Sequence, residues 1–246
     1  MHSKKTVKDE PYLSIIIAVY NEEKRLHNLE KICLFLALKK FKTELIIIDD
    51  GSNDETVNIL KRLAKKFRFS LLANRTNMGK GFSIKKGMLA AHGKYRLFTD
   101  IDLSVPIEEC DKTLSYAKKY PVVIGSRRVK GAKIATHQPF IREFMGRAFS
   151  WFSKIILGLS IADFTCGFKC FSAKAAEELF SRVTINRWGF DTELLFIAKR
   201  KGYSVYEVPV LWRNDPFTKV RFPQDIIRSF LDLIAIRLNS ARGKYK

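Results

Sequence analysis

The 246-residue chain is predicted to be an α/β protein: an open, mostly parallel sheet with helices on both faces, and amphipathic helices in the C-terminal half. Three observations point there. Short, continuous runs of apolar, mostly β-branched residues recur at 13–19, 45–48, 69–73, 95–99 and 122–124. Longer amphipathic stretches separate them. Strands that are apolar throughout are buried on both faces, which is the environment of a parallel sheet between two helix layers. Carboxylates and small polar residues then gather just after several runs, where sheets of this class bind ligands.

Taken in order, strand 13–19 leads into a helix over about 22–40. Strand 45–48 ends in Asp49-Asp50-Gly51-Ser52, and a helix follows to about Phe67. Ser52 and Glu55 have the spacing of a capping box at its start. The strands at 69–73, 95–99 and 122–124 have helices between them. Over 140–159 the polar residues and glycines recur with a helical period that leaves a wide apolar face. A helix over 191–201, a strand over 205–210 and an amphipathic helix over 225–238 complete the pattern. The expected organisation is a polar tail (1–10), one large domain (11–221) and an appended amphipathic helix with a basic end (222–246).

Hydrophobic residues make up 46% of the chain, enough for a large core, and the net charge is +20. Such a charge selects anionic partners: nucleic acid, an anionic membrane surface or phosphorylated ligands. No RNP motif, zinc finger or helix-turn-helix is recognisable, and a carboxylate-rich sheet edge repels phosphates unless a cation intervenes, so nucleic acid is not the expected partner. Cys33, Cys110, Cys166 and Cys170 include no CxxC pair, and the histidines lack ligand spacing, which argues against zinc. Few cysteines suit a reducing compartment. The N-terminal residues lack the apolar stretch of a signal peptide, and no apolar run is long enough to span a bilayer. A cytoplasmic protein, or one on the cytoplasmic face of a membrane, is the expectation.

The sharpest chemical feature is Asp100-Ile101-Asp102 beyond the strand at 95–99. Two carboxylates so spaced can share one hard divalent cation, Mg²⁺ or Mn²⁺, of the kind that accompanies a nucleotide diphosphate. Asp49-Asp50-Gly51-Ser52 reads either as an ordinary turn or as a contact to a base or ribose, with Gly51 letting the backbone approach the ligand. Asn77-Met78-Gly79-Lys80-Gly81 lacks the Walker frame and reads as a tight turn before a helix, with Lys80 near phosphate. Trp188 and Trp212 are expected in the core, and Cys166 to Cys170 in a turn.

These segments, together with Leu13-SIIIAVYNEEKR-Leu26, Gly125-Ser126-Arg127, Asp163-FTCGFKCFS-Ala173 and the block from Arg187 to Arg213, resemble family 2 glycosyltransferases. The similarity is greatest to those that glycosylate dolichyl and other polyprenyl phosphates, and it covers nearly the whole chain. It implies the GT-A fold, a Rossmann-like open sheet, and inverting transfer of a hexose from a nucleotide-sugar donor. It places Ala18, Tyr20, Glu22, Ile48, Asp50, Asp100 and Ile101 at the donor. It makes Asp102 the principal metal carboxylate, with Asp100 on the nucleotide or metal, and sets Arg127 near the donor and acceptor phosphates. Ser104, a third candidate at the metal, stands where mannosyl-type relatives carry a metal-holding glutamine, which favours UDP-glucose over GDP-mannose.

A polyprenyl phosphate acceptor is already anionic and needs a cationic cradle more than a general base. Seven Lys or Arg against one acid, Glu143, lie between Arg127 and Lys154. Arg142, Arg147 and Lys219 are therefore candidates for the acceptor phosphate. Asp191 and Glu193 are expected to orient basic side chains or cap their helix. The remaining alternatives are a GDP-mannose-dependent enzyme or a family 2 transferase acting on a soluble glycan.

Overall fold

The computed structural model describes residues 10–217, 219, 221 and 223–246. Most of the expected N-terminal tail, and Phe222 at the expected boundary of the C-terminal segment, lie outside the described residues. The chain runs β1 (Leu13–Val19), α1 (His27–Ala37), β2 (Thr43–Asp49), α2 (Thr56–Leu63), β3 (Ser70–Ala73), α3 (Lys80–Ala90), β4 (Tyr95–Phe98), α4 (Glu109–Ala117) and β5 (Val122–Ser126). It continues through β6 (Lys133–Thr136), α5 (Phe140–Leu157), β7 (Lys169–Ser172), α6 (Ala173–Arg182), α7 (Phe190–Arg200), β8 (Val205–Pro209), β9 (Leu211–Arg213) and α8 (Gln224–Ala241).

Seven strands form the main sheet in the order β3-β2-β1-β4-β7-β5-β8, while β6 and β9 make a small parallel pair. The main sheet is parallel except for β7, which runs antiparallel between β4 and β5. The carboxyl ends of the other six strands therefore share one edge, and the start of β7 lies among them: Lys169 pairs with both Phe98 and Ile124.

Alternate residues of each strand point to opposite faces. Ile15, Ile17, Ile47, Leu97, Val123 and Cys170 pack with α1, α2 and α4. Ile16, Ile46, Ile48, Phe98, Ile124 and Phe171 pack with α3, α6 and α7. The expected fold class is the observed one, and the differences from expectation are local. Residues 22–26 form a turn in which the amides of Arg25 and Leu26 both donate to the Glu22 carbonyl, so α1 starts only at His27. The capping box does not form. The Ser52 hydroxyl accepts from the Asn21 amide at 2.9 Å, and the Thr56 amide donates instead to Asp54. These bonds stitch the loops after β1 and β2 together.

The largest difference is β7, which occupies part of the expected 166–170 turn. Lys169 interrupts its apolar run, and only tertiary partners make that lysine tolerable inside a sheet. α8 is part of the core rather than an appendage at its surface, since Leu233 and Ile236 are fully buried in the cluster shared with α5 and α7. Phe98, the last residue of β4, packs against Phe171, Phe180 and Phe190. Phe98→Ala is expected to lower unfolding free energy by about 3–5 kcal/mol, the usual range for a buried phenylalanine, as measured by urea denaturation.

Candidate active site

Loops at the carboxyl edge of the sheet enclose a cavity of about 810 Å³. That is the size of a site for a nucleotide-sized ligand. Ala18, Tyr20, Glu22, Asp50, Asp100, Ile101, Asp102, Ser104, Arg127, Arg142, Arg147 and Lys219 all line it. Ile48 does not. Its side chain is fully buried beneath α3, where a Cβ on Gly87 would come within 2.5 Å of its Cδ1, so the expected donor contact is corrected to a core position.

Asp50 is almost fully buried at the end of β2, and its carboxylate accepts five hydrogen bonds. They come from Asn74 Nδ2 (2.7 Å), Asn77 Nδ2 (3.1 Å), the amides of Met78 (3.0 Å) and Gly79 (2.8 Å), and Ser83 Oγ (2.9 Å). A buried carboxylate needs such partners, and here they pin the 77–79 turn to the sheet. Gly51, at φ 74°, permits a backbone approach rather than a ligand approach, since a Cβ there would lie 2.5 Å from the Thr76 carbonyl carbon.

The pinned turn aims Lys80 into the cavity, where its Nζ lies 2.6 Å from Asp100 Oδ1 and 5.4 Å from the centre of the Trp188 ring. Burial opposes the charge on Lys80, but Asp100 and Asp191 outweigh it and raise its pKa. Asp102 Oδ1 accepts the Ser104 amide at 2.8 Å. Burial, and then Asp100 beside it, push the Asp102 pKa up. Gly167 backs the pair closely: a Cβ there would sit 2.1 Å from Asp100 Oδ2.

Among the described residues no group of three His, Cys, Asp or Glu could hold a metal ion. The protein therefore offers two adjacent carboxylates, which suits a hard cation that takes its remaining ligands from water and a diphosphate. The backbone of Ser104 orients Asp102.

Beside this acidic centre, Arg25 bonds both oxygens of Glu22 (3.1 and 2.9 Å) and both of Asp215 (3.1 and 2.6 Å). Burial raises the Glu22 pKa against the pull of Arg25. Lys219 Nζ donates to the Asn21 carbonyl at 2.6 Å. Arg127, also in the cavity lining, grips fully buried Asp163 through Nε (2.6 Å) and Nη2 (2.7 Å) and reaches Thr165. Although burial works against ionisation, the Arg127 guanidinium holds the Asp163 carboxyl well below the usual carboxylate range. Arg128 bridges to the Ser150 hydroxyl and the Ala162 carbonyl. Arg142 is half-buried, its pKa lowered by burial and by nearby Arg127. Exposed Arg147 pairs with Glu143 at 2.8 Å.

Asp191 lines the cavity but is tied to fully buried Lys169, whose ammonium also donates to the carbonyls of Phe164 and Cys166. Glu193 lies elsewhere, accepting from the amides of Thr184 and Ile185 and from the Tyr245 hydroxyl. Trp188 is not a core residue: half-buried, it lines the cavity and donates to Asp225 of α8 at 3.1 Å. Trp212 is buried, with one face on the cavity under Arg127. Cys166 and Cys170 are free thiols, and burial pushes Cys166 up to about 12, so neither is a redox partner. Arg128, Asp163 and Lys169 escape sequence reasoning because each is defined by partners distant in the chain, as is the Asp215 contact of Arg25. Only Glu22 and Arg25, three residues apart, offered a local signal.

Residues 14–180 match the family model described as Glycosyl transferase family 2. The chain belongs to this family. It is 34% identical over 247 residues to a dolichyl-phosphate beta-glucosyltransferase of Trichomonas vaginalis, covering 94% of this chain and 75% of that one. It is 33% identical to the Dictyostelium discoideum protein of the same name (89% and 74% covered) and 28% identical to that of Homo sapiens (95% and 77%). Among solved structures, glucosyl-3-phosphoglycerate synthase of Mycobacterium tuberculosis in complex with UDP superposes with a TM-score of 0.66 at 20% identity, over 95% of this chain and 80% of that one. TarS of S. aureus superposes with a TM-score of 0.57 at 17% identity, over 92% and 65%. These likenesses establish the shared fold, that of a GT-A glycosyltransferase.

Because Gly167 leaves no room beside Asp100, Gly167→Ala is expected to keep the fold but cut glycosyl transfer by about 10²-fold, the penalty of misplacing a reacting group by an ångström. Initial rates together with circular dichroism check this.

Proposed function

We propose that the chain transfers glucose, with inversion, from UDP-glucose to a dolichyl-type polyprenyl phosphate at a membrane surface. The observation that carries this reading is one cavity that holds both a carboxylate pair suited to a cation and a cluster of arginines suited to an anion. The carboxylates Asp100 and Asp102 line it together with the guanidinium groups of Arg127, Arg128, Arg142 and Arg147. The name shared by its relatives, dolichyl-phosphate beta-glucosyltransferase, supports the same reading. A divalent cation bound at Asp100 and Asp102 would supply charge stabilisation for the departing nucleotide diphosphate. Lys80 adds a positive charge next to that position. The arginines receive the anionic acceptor, whose oxygen is already deprotonated. Accordingly, the buried acid near the acceptor, Asp191, is engaged by Lys169 rather than poised as a base.

The helices α5 and α8 support a lipid substrate at these arginines. Their amphipathicity is inverted. Arg142 of α5 and Asp225 and Ser229 of α8 face the cavity, while Phe144, Trp151 and Ile155, and Ile227, Leu231 and Ile234, are all more than half exposed. The two helices pack together through Phe149, Phe152 and Phe230. Among the described residues no helix is long and apolar enough to cross a membrane. A paired apolar surface of this kind, in a chain carrying +20, lies on an anionic bilayer. Each Lys or Arg near that surface adds about 1 kcal/mol. The cytoplasmic face, and the absence of nucleic acid among the partners, belong to the same proposal.

With UDP-glucose, Mg²⁺ or Mn²⁺ and a short polyprenyl phosphate, the expected product is the glucosylated lipid phosphate, and Asp102→Asn should retain less than roughly a tenth of the turnover. Mass spectrometry of the products checks it. Transfer from GDP-mannose in preference, or to a soluble glycan, would overturn the assignment. Sedimentation with anionic vesicles is expected at low salt, to weaken at high salt, and to be lost in Phe144→Glu/Ile155→Glu. Unchanged binding of that variant would remove the helices from the interface.

A further inference from the structure

We infer that Lys80 is a built-in counter-ion that keeps the Asp100–Asp102 pair from taking up a divalent cation until a nucleotide diphosphate arrives. The inference rests on the proposed metal role of the two aspartates and adds the order in which the site fills.

Its basis is the way Lys80 is held. Asp50 bonds the amides of Met78 and Gly79 just before it. Gly79 adopts φ 102° and lies so close to the 185–187 segment that a Cβ would meet the Asn186 carbonyl oxygen at 2.4 Å. Gly81, on the other side, is as tightly placed against the Ile185 carbonyl oxygen (2.6 Å). The backbone of Lys80 is thus clamped between the sheet and the loop before α7, and only its side chain can move. That side chain is 18% exposed and runs past Trp188 to bond Asp100 Oδ1 at 2.6 Å.

The charges around it give this bond a consequence. Three carboxylates converge here, Asp100, Asp102 and Asp191, against two ammonium groups, Lys80 and Lys169. Lys169 is committed to Asp191 and two carbonyls, leaving Lys80 as the mobile cation of the set. A divalent cation entering alone meets an ammonium bonded to one of its two carboxylate ligands, and like charges a few ångströms apart in a covered site repel strongly. A diphosphate changes this balance, because it offers Lys80 a second anionic partner. A lysine, a point charge on a flexible stem, can exchange one partner for the other. Cation and nucleotide should therefore bind with positive coupling, each tightening the other by the same factor.

Mn²⁺ binding to the full chain, followed by electron paramagnetic resonance with and without UDP and with UDP–Mn²⁺ in buffer as the blank, tests this. UDP should tighten Mn²⁺ binding to the wild type by about tenfold or more, within the usual range of coupling between sites. Lys80→Met and Lys80→Gln should each bind Mn²⁺ about tenfold more tightly than wild type without nucleotide, and the effect of UDP should shrink. If both variants, shown folded by thermal unfolding, bind Mn²⁺ no more tightly than wild type, the counter-ion role is wrong even if the metal site is right. Asp102→Asn separates the two failures: Mn²⁺ binding that survives this change in the presence of UDP would overturn the metal site and the inference together.

Discussion

The carboxylate of Asp50 is the contact on which the rest of the site depends. A polar group so deeply buried is tolerated only when hydrogen bonds replace its water, and five protein donors do so here. Those donors come from the residues after β3 and the start of α3. A single side chain therefore joins the end of β2 to the turn that carries Lys80, and through Lys80 to Asp100 beyond β4. Three strand ends are set relative to one another by this chain of contacts. Charge, rather than apolar packing, sets the geometry at the edge of the sheet.

The same logic recurs across the cavity. Arg127 with Asp163, Lys169 with Asp191, and Arg25 with Glu22 and Asp215 are all buried or nearly so. Buried pairs contribute little net stability, because desolvation offsets most of the attraction, but removing one partner is strongly destabilising. Their use here is positional. Arg127 and Arg25 are fixed at the cavity lining against loop residues Asp163 and Asp215, and Lys169 ties the start of β7 to α7. The antiparallel strand β7 belongs to this scheme, since its first residue brings Lys169 between the ends of β4 and β5.

In α5 and α8 the packing rule is reversed. α5 and α8 turn part of their polar surface inward to the cavity and much of their apolar surface outward, the opposite of helices on a water-soluble domain. Leu233 and Ile236 still anchor α8 in the core, so the arrangement is part of the fold. Arg142 and Arg147 of α5 line the cavity while Phe144, Trp151 and Ile155 of the same helix are exposed, which suits the lipid phosphate proposed above.

The sequence by itself determined whatever has a local period or a local spacing. The parallel strands, the helical stretches, the Asp100-Ile101-Asp102 loop after β4 and the family membership were all legible there, because apolar alternation and short motifs are properties of neighbouring residues. Tertiary structure decided which way each side chain faces and which charge meets which. Ile48 and Ala18 are paired across β2 and β1, yet one enters the core and the other the cavity. Trp188 lines the site, and Glu193 braces Tyr245. β7 was hidden because a buried lysine is acceptable only when a distant aspartate and two carbonyls converge on it. The wide apolar faces of α5 and α8 were legible in their helical period, whereas only the tertiary structure decided that much of each face points outward.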